Sequence, residues 1–143
     1  MNLNIEQALK AYADAYFAGE AFVVEVRGET SDVDLDPTKE FLIFAVELNW
    51  SVGPLYVAEL EVRVETPAFS DQTSLVRHRE VVDKAGIDWL FSQANKVQLD
   101  AALQVEGFGL TGGTSFSTGD WRSLNDGQKW VSAMAVKMGV EKQ

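Results

Sequence analysis

Apolar positions near the start of the chain fall at Ile5, Ala8, Leu9, Tyr12, Tyr16 and Phe17, the three-and-four spacing that gathers one face of an α-helix. Asn4 with Gln7 three residues on has the form of a capping box, and Gly19 offers a left-handed residue to end the helix. The period then changes. Ala21 to Arg27 (AFVVEVR) is β-branched and aromatic and predicts a strand. Residues 28–38 (GETSDVDLDPT) are polar and acidic and predict an exposed loop. Phe41 to Trp50 (FLIFAVELNW) is apolar on both faces in its first half, as in a central strand. Ser51-Val52-Gly53-Pro54 supplies a turn. Leu55 to Glu65 then alternates, with Tyr56, Ala58, Leu60, Val62 and Val64 on one face and Glu59, Glu61, Arg63 and Glu65 on the other. That is a half-exposed strand in an antiparallel hairpin with its predecessor.

Past Thr66-Pro67, Ser70 or Asp71 can cap a second helix, with an apolar stripe of Leu75, Val82, Ala85 and Trp89. Gly86 is placed to kink or end it, leaving Ile87 to Asn95 as a short helical piece. Val97 to Leu103 fits either a turn of helix or the start of a strand, and Leu103 to Leu110 reads as a strand. Residues 107–127 carry glycine at 107, 109, 112, 113, 119 and 127, the composition of a long loop, and long loops in compact domains are usually functional. Lys129 to Val140 reads as a closing strand. The expected architecture is α+β, a single domain over 1–143: a mostly antiparallel sheet of about five strands with two main helices packed on one side.

Composition adds exclusions. The 143 residues suit one core. No cysteine is present, which removes disulfides, thiolate metal sites and a cysteine nucleophile and fits a reducing compartment. Met1 to Asn4 opens directly into the amphipathic pattern, unlike a signal peptide. No apolar run approaches the roughly 20 residues of a membrane span. A net charge of -10 disfavours phosphate backbones as specific partners; the basic cluster Arg77-His78-Arg79 is short and Glu80 follows it.

Candidate chemistry is thin. Asp32, Asp34 and Asp36 alternate along the acidic loop, an oxygen cluster of the kind hard cations favour. Pro37 and Ile43 stand where a calcium loop needs glycine and glutamate, so no metal site is assigned. Gly107-Phe108-Gly109-Leu110-Thr111-Gly112 has the form G-x-G-x-x-G, but no helical pattern follows to receive a pyrophosphate, and no cofactor is expected. His78, the only histidine, reads as an exposed helix residue without a catalytic partner. Trp121 and Arg122, beside Asp120 and with Phe108 and Phe116 in the same glycine-rich segment, have the character of contact anchors. Together with Asp32, Asp34 and Asp36 they are the candidate protein-interface residues.

The order of elements resembles that of the tail terminator (tail completion) proteins of long-tailed phages and prophages. The likeness rests on three places: the N-terminal helix leading into strands and an excursion; the strand Tyr56 to Val64 running through Glu65-Thr66-Pro67-Ala68 into a helix bearing His78; and Asp126-Gly127-Gln128-Lys129-Trp130 before the closing strand. It covers most of the chain as an outline and carries no short diagnostic motif. It implies a non-enzymatic protein of the virion tail, assembled in the bacterial cytoplasm. Such a protein is a hexameric ring of identical copies that caps the tail tube and meets the head connector. The sheet would line or approach the lumen with helices outside, and negative charge there would let DNA pass without sticking. Two other readings stay open. The opening helix is similar to that of nuclear-transport-factor-like cones, where Asp14 with His78 would be the available acid–base pair in an apolar pocket. The acidic charge also suits an immunity or inhibitor protein covering a basic toxin.

Overall fold

The computed structural model describes residues 2–26, 38–68, 72–86, 89, 92–111, 117–118, 122–125 and 129–143. Its elements in chain order are α1 (Asn2–Tyr16), β1 (Val23–Val26), β2 (Phe41–Val52), β3 (Leu55–Pro67), α2 (Gln72–Lys84), α3 (Gln93–Val105), β4 (Phe108–Leu110), β5 (Ser117–Thr118), β6 (Arg122–Asn125) and β7 (Lys129–Lys142). The class is α+β, as the hydrophobic pattern predicts, with a third helix beside the two main ones.

The sheet has five lanes. β1 pairs parallel to β2, and β2, β3 and β7 follow antiparallel. The fifth lane is shared by β4, β5 and β6, which pair in turn with β7 at 142–140, 137–136 and 133–130. The described parts of the glycine-rich stretch thus form an interrupted edge strand, not the continuous loop its composition suggests. Leu110 pairs with Val140 and Ser117 with Lys137, so the two described pieces lie along the same edge of β7. Gly107 (φ +83) ends α3 before this lane begins, which leaves the G-x-G-x-x-G spacing at a helix C-terminus rather than at the N-terminus a phosphate site needs.

Register fixes two unlike faces. On one, Val24, Leu42, Val64 and Ser132 lie in a row across β1, β2, β3 and β7. The next row is Val26, Phe44, Val62 and Met134, and the row after it Val46, Leu60 and Val136. All of these are buried, and the apolar ones form one core with Ile5 and Leu9 of α1, Val81 and Ala85 at α2, and Leu99 and Leu103 of α3. Aromatic rings fill the α1 corner: Tyr12 stacks on Trp89 at 5.9 Å, and Phe17 lies 5.3 Å from it. The Tyr12 hydroxyl donates to the Trp89 carbonyl. Burial first, then the neighbouring Tyr16, pushes this phenol up to about 12.

Three local readings are corrected. α1 begins at Asn2, so Asn4 is an exposed first-turn residue and not the cap. The stretch 93–105 is a full helix, capped by Ser92, whose side chain accepts from Asn95 N. Its alternating Val97, Leu99, Leu103 and Val105 look strand-like because two faces are mixed. Leu99 and Leu103 are inside, and Val97 and Val105 are exposed. The strand expected from Leu103 consequently starts only at Phe108. In α2 the buried positions are Ser74, His78 and Val81, with Ala85 just beyond, while Leu75 and Val82 are half-buried at the flanks. Half of the inward stripe is polar, which a search for apolar periodicity passes over.

The sheet edges are closed by helix side chains. Where β1 runs out beside β2, the carboxylate of buried Glu6 accepts from Val46 N at 3.4 Å. Lys10 reaches the Val24 carbonyl at 3.4 Å. At the far edge, Asp100 of α3 accepts from Leu110 N at 2.8 Å. These groups occupy backbone positions that would otherwise invite another strand.

Candidate functional site

Two places hold polar groups in a defined arrangement. The first is the sheet face opposite the helices. Reading across β2, β3 and β7, it presents Glu47, Glu59 and Lys137 in one row, Ala45, Glu61 and Ala135 in the next, then Ile43, Arg63 and Ala133. The alanines leave a shallow concavity of about 380 Å³, with Ala45 and Ala135 flanked by Glu47, Glu59 and Glu61. Lys137 pairs with Glu59 at 3.5 Å and Arg63 with Glu61 at 3.2 Å. One row further, Glu65 is buried and bonded by Lys129. Arg63 Nε is buried without a hydrogen-bond partner. At this end Phe41 and Ile43 are buried too, whereas Glu47 and Glu61 further along the face are exposed.

The second place lies under α2. His78 is 2 % exposed, a correction to its reading as an exposed residue. Its Nδ1 is 2.7 Å from Thr66 Oγ1 and its Nε2 is 2.7 Å from Ser132 Oγ. β3 and β7 place these hydroxyls on adjacent lanes, with Thr66 opposite Trp130 and Val64 opposite Ser132. The Trp130 indole donates to Ser74 Oγ at 3.2 Å. Burial lowers the His78 pKa. A hydroxyl against an imidazole is the geometry of a nucleophile and its base, but Ser132 is 1 % exposed and its partner histidine 2 %. The arrangement as it stands admits no substrate. A neutral imidazole donates through one nitrogen and accepts through the other, so it satisfies both hydroxyls and fastens the helix to the sheet. Arg77, on the next position of α2, grips Glu40 with Nε and Nη2, each at 2.7 Å.

The residues singled out in the sequence are not brought together as one site. Asp32, Asp34, Asp36, Phe116 and Trp121 lie outside the described residues. Arg122 opens β6, where only its backbone is described. Phe108 is 2 % exposed in β4, with its ring 6.4 Å from Tyr56; it belongs to the chain's own core, which corrects its reading as a surface anchor. Asp14 is exposed and bonded to Lys10 at 3.0 Å, so the Asp14–His78 pair of the cone reading is not formed. The members of the Thr66–His78–Ser132 group are far apart in sequence and none is apolar, so no local pattern marks them; the sequence signal for His78 is its helical spacing ahead of Val81 and Ala85. Among the described residues no three acidic or histidine side chains gather into a metal-binding group, and no described helix is long and apolar enough to cross a membrane. The chain matches no protein-family model and no curated protein sequence.

Proposed function

We propose that this protein is a non-enzymatic structural component of a phage or prophage tail, a ring of identical copies that caps the tail tube and joins it to the head connector. The observation that carries the reading is the one-sided layering of the protomer. The three helices share a core with one sheet face, while on the other face a shallow concavity at Ala45 and Ala135 is bordered by Glu47, Glu59 and Glu61, two of them paired with Lys137 and Arg63. A ring wall around passing DNA calls for this asymmetry: helices outward, and inward a smooth acidic surface that repels phosphates. In this reading the inner wall is the Ala45–Ala135 concavity, and Trp121 and Arg122 are candidate contacts to a neighbouring copy or the tail tube.

Solution mass by light scattering over a wide concentration range, followed by negative-stain imaging, tests the proposal. A discrete ring, or growth toward one with concentration, is expected. A particle that keeps the mass of one chain throughout, and still does so when mixed with isolated tail tubes, overturns it. The change Trp121→Ala is expected to weaken association about tenfold or more, the loss of an aromatic contact anchor, with protomer melting unchanged. A large fall in melting temperature would place Trp121 in the core instead.

A further inference from the structure

The inward face of α2 is divided along its length. Its first half meets the sheet through polar groups: Ser74 with Trp130, His78 with Thr66 and Ser132, and Arg77 with Glu40. The end of the helix and the turn beyond it meet the core through Val81, Ala85 and Trp89. The two halves are therefore held by different physics, and only the first depends on a titratable group.

No carboxylate among the described residues faces His78 to balance an imidazolium there. From β3 the imidazole faces the Thr66 hydroxyl, and from β7 the Ser132 hydroxyl and the Trp130 ring, 6.4 Å away. The flanking Glu65 and Lys129 alternate to the opposite sheet face and bond each other. On α2 itself the sequence neighbours Arg77 and Arg79 are cations, with Arg77 turned to Glu40 and Glu80; Glu80, Asp83 and Lys84 are exposed. A second ring proton would oblige both hydroxyls to accept and would leave a buried charge without a carboxylate among the described residues.

We propose that the first half of α2 is an acid-released clasp: protonation of His78 frees residues 73–80 from Thr66 and Ser132, while the Val81–Ala85–Trp89 end stays docked. The released state exposes Trp130 and the two hydroxyls as a new surface at the start of β7. In sign, a histidine held below its ordinary 6.5 when docked regains that value when free. The clasp is therefore intact above about pH 6.5 and weakens as pH falls below it, about tenfold in the open-to-docked ratio for each pH unit until the docked pKa is passed.

The test uses the intact chain. His78 is the only histidine, so one ring signal in NMR reports its titration, and amide exchange, corrected for the intrinsic pH dependence, reports opening. Protection of residues 73–80 is expected to fall between pH 7.5 and 5 in step with the ring titration, while α1 and β3 keep theirs. His78→Gln is expected to remove that pH dependence. The proposal is overturned if His78 titrates without any change at 73–80, if β3 loses protection together with α2, or if H78Q keeps the acid response. Should H78Q fail to fold, Ser132→Ala, which removes one hydroxyl, must raise the ring pKa if the clasp opens more readily; an unchanged titration overturns the proposal.

Discussion

Thr66, His78 and Ser132 show how much a single buried polar residue depends on its partners. Each imidazole nitrogen has one hydroxyl at 2.7 Å, and removing either partner leaves a buried polar atom unsatisfied, at a cost of about 1–3 kcal/mol. Thr66→Val and Ser132→Ala are each expected to lower unfolding free energy by that amount in urea melts. Because both act on one ring, the double variant should lose less than their sum; strict additivity would mean the two bonds are not coupled through His78. Leu60 marks the opposite case. It lies 2 % exposed between Val46 and Val136 on neighbouring strands, with no polar partner at hand for a carboxylate. Leu60→Asp is expected to abolish folding, read as loss of the far-ultraviolet signal of structure at room temperature. A soluble variant with normal melting would contradict the register of β3.

At the scale of elements, the edges are set by side chains from helices. Asp100 of α3 accepts from Leu110 N at 2.8 Å and from Gln104 Nε2 at 3.0 Å, fixing the three-residue β4 against β7. Asp100→Ala is expected to cost about 1 kcal/mol and to speed exchange at the Leu110 amide, while Asp100→Asn, which keeps an acceptor, should restore most of the protection. Equal exchange in both variants would remove Asp100 from the account of this edge. The elements that the sequence announced are those whose burial follows from hydrophobicity alone. α1 carries a clean apolar face, and the alternation along β2 and β3 places the sheet faces correctly, while β7 reads as a strand with apolar positions on both faces. What stayed hidden had other causes. The buried stripe of α2 is half polar, so apolar periodicity points to Leu75 and Val82 where Ser74, His78 and Val81 are buried. In α3, exposed Val97 and Val105 break the helical period. The parallel pairing of β1 with β2 and the sharing of one lane by β4, β5 and β6 are long-range matters of register, which no local pattern encodes.

For the whole molecule, a charge of -10 on each chain sets a condition on any assembly of identical copies. Bringing such protomers together raises like charge against like charge, and the penalty is felt over about 30 Å at 0.01 M salt but only about 10 Å at 0.1 M. If the contacts between copies are apolar and the carboxylates at Glu47, Glu59 and Glu61 face an open lumen, salt relieves repulsion without weakening the contacts. Association should then tighten, by about tenfold or more, between 0.01 M and 0.15 M salt, as measured by sedimentation equilibrium. Neutralising the wall with Glu59→Gln and Glu61→Gln should flatten that dependence by removing repulsion already present at low salt. The opposite slope, association that loosens as salt rises, would mean that ion pairs hold the copies together. The acidic face would then be turned toward a basic partner surface rather than toward passing DNA, and the ring reading would lose the feature that supports it.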